Sequence, residues 1–162
     1  MLNMSEERIN CTIDHKIHQY LFSGTYILAL LVGFPTNAYS LYHAWLQLRA
    51  RNELGVYLLN LTVSDLLYLA SLPVWLQYIF YEDNWVYSEL ACRVCGFLLY
   101  DNIYISISFL CCISIDRYLA VVYPLRFSAL RTMKAAALVS AVVWIKELAE
   151  SFLSRTFGSF GL

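Results

Sequence analysis

Four long apolar stretches, separated by short polar ones, dominate the chain: roughly residues 20–46, 54–80, 90–122 and 134–153. A helix rising 1.5 Å per residue needs about 20 residues to cross about 30 Å of hydrocarbon, and each stretch is long enough. None alternates in polarity as a barrel strand does. In lipid the backbone must satisfy its own hydrogen bonds, so the pattern predicts four membrane-spanning helices. Short connections make neighbouring helices antiparallel. Pro35 and Pro73 fall inside the first two stretches, where each removes a backbone donor and predicts a kink.

Composition supports a lipid environment. The chain is 60% hydrophobic and 14% charged, against about 25% charged in soluble domains. The net charge of −1 favours neither nucleic acid nor an anionic surface. Residues 1–19 carry Glu6, Glu7, Arg8, Asp14 and Lys16 with no apolar core, so the first apolar stretch is expected to act as its own insertion signal.

Basic residues set the expected orientation. Arg49 and Arg51 follow the first stretch; Arg126, Arg131 and Lys134 follow the third. The loop between the second and third stretches, Tyr81-Glu82-Asp83-Asn84-Trp85, has neither Lys nor Arg. Basic loops stay in the cytoplasm, which places the N-terminus outside. Asn3-Met4-Ser5 and Asn10-Cys11-Thr12 fit the glycosylation pattern and agree with that side. Asn60-Leu61-Thr62 fits it too, but lies within an apolar run and is discounted. Trp75, Tyr78, Tyr81, Trp85 and Tyr87 are expected near the outer interface, where amphipathic rings prefer to lie.

Polar groups inside spans are costly and need a reason. Asp65 lies mid-span, and Asn37, Asn102 and Ser106 are further polar residues in the first and third stretches. Asn102 and Ser106 are four apart and share a helix face. With Asp65 they offer oxygens to a hard cation such as sodium, or form a network that joins helices. Asp116-Arg117-Tyr118 closes the third stretch and Pro124-Leu125 follows. No nucleophile–base set or metal cluster suggests an enzyme. A four-span scaffold would not explain Asp116-Arg117-Tyr118 with Pro124-Leu125. A channel or transporter usually shows paired broken helices or repeats.

The ordered set Asn37, Asp65, Pro73, Trp85, Cys92, Asp116-Arg117-Tyr118, Pro124-Leu125 and Trp144 resembles the rhodopsin-like G-protein-coupled receptors, over nearly the whole chain to Glu150. Residues 11–19, 32–35, 49–57 and 109–114 resemble the proton-sensing subfamily. The fold class implied is all-α: the first four transmembrane helices (residues 20–153) of a seven-helix receptor bundle. An extracellular segment 1–19 precedes them, and an atypical tail 154–162 follows. The resemblance implies a multi-pass plasma-membrane receptor that senses extracellular protons and couples mainly to heterotrimeric G proteins of the Gq class. Asp116, Arg117, Tyr118, Pro124 and Leu125 would serve that coupling. It also implies a disulfide from Cys92 to a second outer loop, a pairing of Cys11 near the seventh helix, and a coupled set of intramembrane acids including Asp65 and Glu147; Cys11 is a conceivable substitute partner for Cys92.

A proton sensor needs groups that titrate in the working window. Histidine does so unperturbed, and a buried carboxyl can be moved into the same range. His15 and His18 are the outer candidates, and Asp65 and Glu147 the buried ones. His43, near the inner end of the first span, is read as structural. Lys146 is turned about 100° from Glu147 on a helix and is not expected to need it as a partner. Cys111 and Cys112 are read as packed thiols. Glu82 stands where a near relative in that subfamily carries histidine, which is expected to shift or weaken the pH response. The chain is expected to end before helices five to seven. The alternative is therefore a non-signalling fragment, retained in the endoplasmic reticulum, that associates with or interferes with an intact copy, or else a gene-model artefact.

Overall fold

The structure is a computed structural model that describes the backbone of residues 4–81, 84–124, 126 and 131–158. Side chains are described from 17 to 153 within those ranges, except 18. It contains four helices: α1 (Met4–Arg49), α2 (Leu54–Phe80), α3 (Glu89–Val122) and α4 (Met133–Gly158). From Gln19 onward α1 is long and apolar enough to cross a membrane, as are α2 and α3. The backbone of α1 is helical from Met4, so part of the polar leading segment continues the first span's helix.

α4 is less apolar than the sequence pattern suggested. Lys146, Glu147 and Glu150 interrupt its apolar run, and they partly neutralise one another: Lys146 Nζ lies 3.2 Å from both carboxylates. Pairing of this kind lowers the cost of carrying charge within a span.

The helices start and stop where local chemistry permits. Between α1 and α2, Arg51 takes the left-handed conformation (φ 55°) that glycine usually fills after a helix. The Asn52 N–H then reaches back to Gln47 O, and Asn52 Oδ1 accepts from Leu54 N. Ser88 caps α3 by accepting from Ala91 N, with Glu89 in the first turn complementing the helix dipole. Thr132 plays the same role for α4 through Ala135 N.

α1 and α2 run through Pro35 and Pro73 without a break. Nearby side chains reach the carbonyls of the preceding turn: Thr36 Oγ1 donates to Val32 O, Asn37 Nδ2 to Gly33 O, and Ser71 Oγ to Tyr68 O. These bonds fall next to the carbonyls of Leu31 and Leu69 that the prolines leave without a helical donor, so they brace the adjoining turn rather than replace the missing bond.

α2 is the hub, packing on α1, α3 and α4, whereas α1 touches only α2 among the described residues. Tyr57, Ile105, Phe109 and Ala136 form the core where α2, α3 and α4 meet, flanked by Val56, Leu61, Cys112, Val143 and Trp144. Trp144 Nε1 donates to Asn60 Oδ1 at 2.9 Å, tying α4 to α2. Cys112 packs as expected, but Cys111, the next residue round the helix, is exposed.

The α1–α2 corner depends on Gly55. A Cβ there would lie 2.8 Å from Leu48 N, 2.9 Å from Gln47 Cβ and 3.0 Å from Ala44 O, against backbone that cannot yield cheaply. Gly24 has open space around it. Gly55→Val is expected to destabilise the chain by about 1–3 kcal/mol through overpacking, and Gly24→Ala to be nearly neutral. Thermal unfolding of the two variants in detergent checks this; equal midpoints would mean the corner yields.

Candidate functional site: polar clusters around α3

Among the described residues three polar clusters lie along α3, one joined to the starts of both α2 and α4, one to α2 and one to α4. At the α3 C-terminal end, Asp116 is buried, with 7% of its side chain exposed. Its neighbour Arg117 donates to Oδ2 through Nε at 3.1 Å and Nη2 at 2.6 Å. Arg131, just before α4, donates through Nε to Oδ1 of Asp116 at 3.2 Å and through Nη2 to Glu53 Oε1 at 2.5 Å. The hydrogen bond to Asp116, and then the charges of Asp116 and Glu53, outweigh desolvation and push the Arg131 pKa above the ordinary arginine range. Arg131 is therefore cationic at every physiological pH.

The Asp116–Arg117 pair thus belongs to a four-residue chain, Arg117–Asp116–Arg131–Glu53. Tyr118 is exposed and stacks edge-on with Tyr123 at 6.2 Å. Pro124 is exposed. Leu125 lies outside the described residues.

The second cluster sits mid-bundle between α2 and α3. Ser106 Oγ donates to Asp65 Oδ1 at 3.1 Å, and Ser64 Oγ donates to Asn102 Oδ1 at 2.8 Å. The shared face expected of Asn102 and Ser106 is therefore built. An adjoining cavity of about 550 Å³ is lined by Asn37, Asp65, Tyr68, Leu69 and Asn102. Asn37 stands at this wall but spends its amide on Gly33 O. Asp65 and Ser106 supply hard oxygens suited to sodium, while the Asn102 oxygen is already engaged by Ser64.

The third cluster joins α3 to α4. Glu147 is buried at 4% exposure and accepts from Ser108 Oγ at 2.8 Å. Lys146 also reaches it, Nζ to Oε1 at 3.2 Å. This corrects the expectation that Lys146 needs no such partner: its long flexible stem swings the ammonium back across the 100° turn. One helical turn on, Ser151 hydrogen-bonds the buried carboxylate of Asp101.

Asp65 and Glu147 do not meet. They bind Ser106 and Ser108, which are two residues apart on α3 and so lie about 200° apart around it. Direct repulsion between the two acids is not the coupling this geometry offers; α3 stands between them.

The expected interfacial aromatics do assemble. Trp85 packs against Trp75, Tyr78 and Tyr87 with ring centroids 5.7–6.2 Å apart, and Tyr87 hydrogen-bonds Gln77. Cys92 is exposed in the first turn of α3. His43 sits edge-on to Tyr39 and Tyr42, in keeping with a packing role. Asn3, Glu82 and the side chains of Asn10, Cys11, His15 and His18 lie outside the described residues.

Sequence reasoning passed over Glu53 and Asp101 and gave Arg131 only a topological role. It also discounted Asn60, whose amide is spent on Trp144. Asp101 carried a usable signal, being a lone acid within an apolar run. Glu53 carried none, since it stands among polar residues at a helix start.

Comparison with known proteins identifies the family. The family described as "7 transmembrane receptor (rhodopsin family)" matches residues 36–159. Bovine G-protein coupled receptor 68 is 62% identical over 143 residues, covering 88% of this chain and 40% of its own length. Human G-protein coupled receptor 65 is 47% identical over 134 residues, covering 83% of this chain and 40% of its own length. Chicken lysophosphatidic acid receptor 6 is 37% identical over 150 residues, covering 93% and 48% respectively. The chain spans about two-fifths of the length of the first two of these curated relatives. It is a membrane protein of a signalling family rather than an enzyme, and its four helices match the first part of the family's bundle: the chain belongs to the rhodopsin family of seven-transmembrane receptors.

Proposed function

We propose that the receptor to which this chain contributes senses extracellular protons and couples to heterotrimeric G proteins, mainly of the Gq class. The observation that carries this reading is the pair of carboxylates, Asp65 and Glu147, set into the bundle on opposite sides of the helix that ends in Asp116-Arg117. A change in charge on either side of α3 alters how that helix packs, and its far end holds the coupling residues. Protonating Glu147 removes its attraction for Lys146; protonating Asp65 turns a carboxylate that accepts from Ser106 into a group that can also donate. Each biases two arrangements of α3 by proton concentration.

Asp116, Arg117, Tyr118, Pro124 and Leu125 form the coupling end in this reading. His15 and His18 add outer titrating groups. The basic loops put the Arg117 end in the cytoplasm and Asn3 and Asn10 outside as glycan acceptors. Cys92, and Cys11 if it reaches, supply thiols for an outer disulfide. A sodium ion held by Asp65 and Ser106 would favour the ionised carboxylate and oppose its protonation.

The test is a chimaera in which residues 1–150 of this chain run on into the remaining sequence of the bovine relative. Acid-evoked calcium release is expected as external pH falls through the histidine range, with a glycosidase-sensitive mobility shift. No calcium rise in surface-displayed chimaera would defeat the sensing reading. Absence of a glycan, with protease access to Arg126 from outside, would reverse the orientation.

A further inference from the structure

Asp116 is held by two arginines through different oxygens. Arg117 takes Oδ2 at 2.6 and 3.1 Å, and Arg131 takes Oδ1 at 3.2 Å. The two are not equally free to leave. The Arg117 side chain is 44% exposed, whereas that of Arg131 is 22% exposed and is tied at its other end to Glu53 at 2.5 Å. Glu53, Asp116 and Arg131 also line a cavity of about 290 Å³ between α2, α3 and α4, on whose wall Arg117 does not stand.

We propose that Arg131 is the standing counter-charge of Asp116: a positioning residue that keeps the buried carboxylate paired when Arg117 leaves it for a partner. The proposal rests on the coupling reading, in which Arg117 is the arginine that engages the G protein; that reading gives Arg131 and Glu53 no part. With both arginines in place only 7% of the Asp116 side chain is exposed, so the carboxylate takes its partners from the two cations rather than from bulk water. A buried carboxylate stripped of its partner is strongly disfavoured. With Arg131 in place, release of Arg117 leaves Asp116 hydrogen-bonded to a cation that Glu53 holds still.

The planar guanidinium suits this position. It presents separate N–H groups to Asp116 and to Glu53 at once, which the point charge of lysine does less well. Arg131 therefore eases the release of Arg117. This has a definite sign, because a residue that merely locked α2 to α3 in the resting arrangement would raise basal signalling when removed.

The experiment uses the chimaera, with G-protein activation measured at rest and after an acid step and corrected for surface level. Arg131→Gln is expected to lower the acid-evoked maximum by about tenfold or more without raising the basal level. Arg131→Lys is expected to fall between. The deciding arm is Asp116→Asn, which removes the charge that needs a custodian. In that background Arg131→Gln is expected to have no further effect. Unchanged signalling in Arg131→Gln, a raised basal level, or an equal loss in both backgrounds would overturn the assignment. Should Arg131→Gln fail to reach the surface, the double variant decides: recovered display supports the pairing, and continued retention overturns it. Arg117→Ala runs alongside; signalling that survives it defeats the coupling reading instead, so the two failures are distinguishable.

Discussion

Arg117→Ala in the chimaera is expected to reduce acid-evoked G-protein activation to background while leaving surface display nearly unchanged. Two features of the structure set those two halves of the result. The loss follows from the place of Arg117 in the proposed orientation: it is an exposed cation at the end of α3, beside Tyr118, open to the G protein of that proposal. Preserved display follows from Arg131. Truncating Arg117 takes both contacts from Asp116 Oδ2, but Oδ1 keeps its bond to Arg131 and the carboxylate stays paired. Breaking a buried pair outright costs about 3–5 kcal/mol; here only one of two cations goes, and it is the more exposed one. Surface labelling alongside G-protein activation checks both halves. Undiminished activation would remove Arg117 from the coupling role. A collapse in display with normal signalling per receptor would show that Arg117, not Arg131, carries the stability of Asp116.

What the sequence disclosed was whatever depends on neighbours along one helix. Apolar stretches of 20 to 33 residues located both ends of α2 and α3 and the inner limits of α1 and α4 to within a few positions, because length and apolarity are local properties; the start of α1 at Met4 lay hidden in a polar segment. The i to i+4 spacing of Asn102 and Ser106 gave their shared face, and both bond to α2, Asn102 with Ser64 and Ser106 with Asp65. Contacts between helices were hidden to different degrees. Glu53 and Arg131 stand 78 residues apart, and nothing local marks either as the other's partner. The same holds for Asn60 and Trp144, 84 apart. Lys146 was misjudged because helical angle describes where a side chain starts, not where a four-carbon stem ends. The direct contact that a coupled pair of acids would suggest is not made by Asp65 and Glu147, for a subtler reason. Both acids were rightly placed inside the bundle, but only Ser106 and Ser108 show that α3 lies between them, and their two-residue offset gains meaning once each is known to be a partner.

That separation sharpens the expected outcome for the sensor. Asp65→Asn is expected to move the acid response to less acidic pH by about one unit, which corresponds to about 1.4 kcal/mol, or to flatten it. His15→Phe is expected to move it by less than about a third of that. The sign follows from chemistry: asparagine holds the neutral state at every pH, so part of the work done by protons is already complete. The size follows from position. Asp65 is only partly open to solvent and is hydrogen-bonded across α2 and α3, so its charge bears directly on how those helices pack. His15 lies fifty positions before Asp65, on the leading segment that the proposal places outside the membrane, and a charge in water at that remove acts weakly on the bundle. The separation of Asp65 from Glu147 adds a condition. Because the acids do not touch, Glu147→Gln is expected to add to the effect of Asp65→Asn nearly independently, as distant sites do, and a cycle of the two single variants and the double measures it. Matched pH titrations at equal surface level decide the matter. A large shift from His15→Phe with none from Asp65→Asn would place the sensor outside the membrane, and a strongly non-additive cycle would mean that α3 transmits one acid's charge to the other.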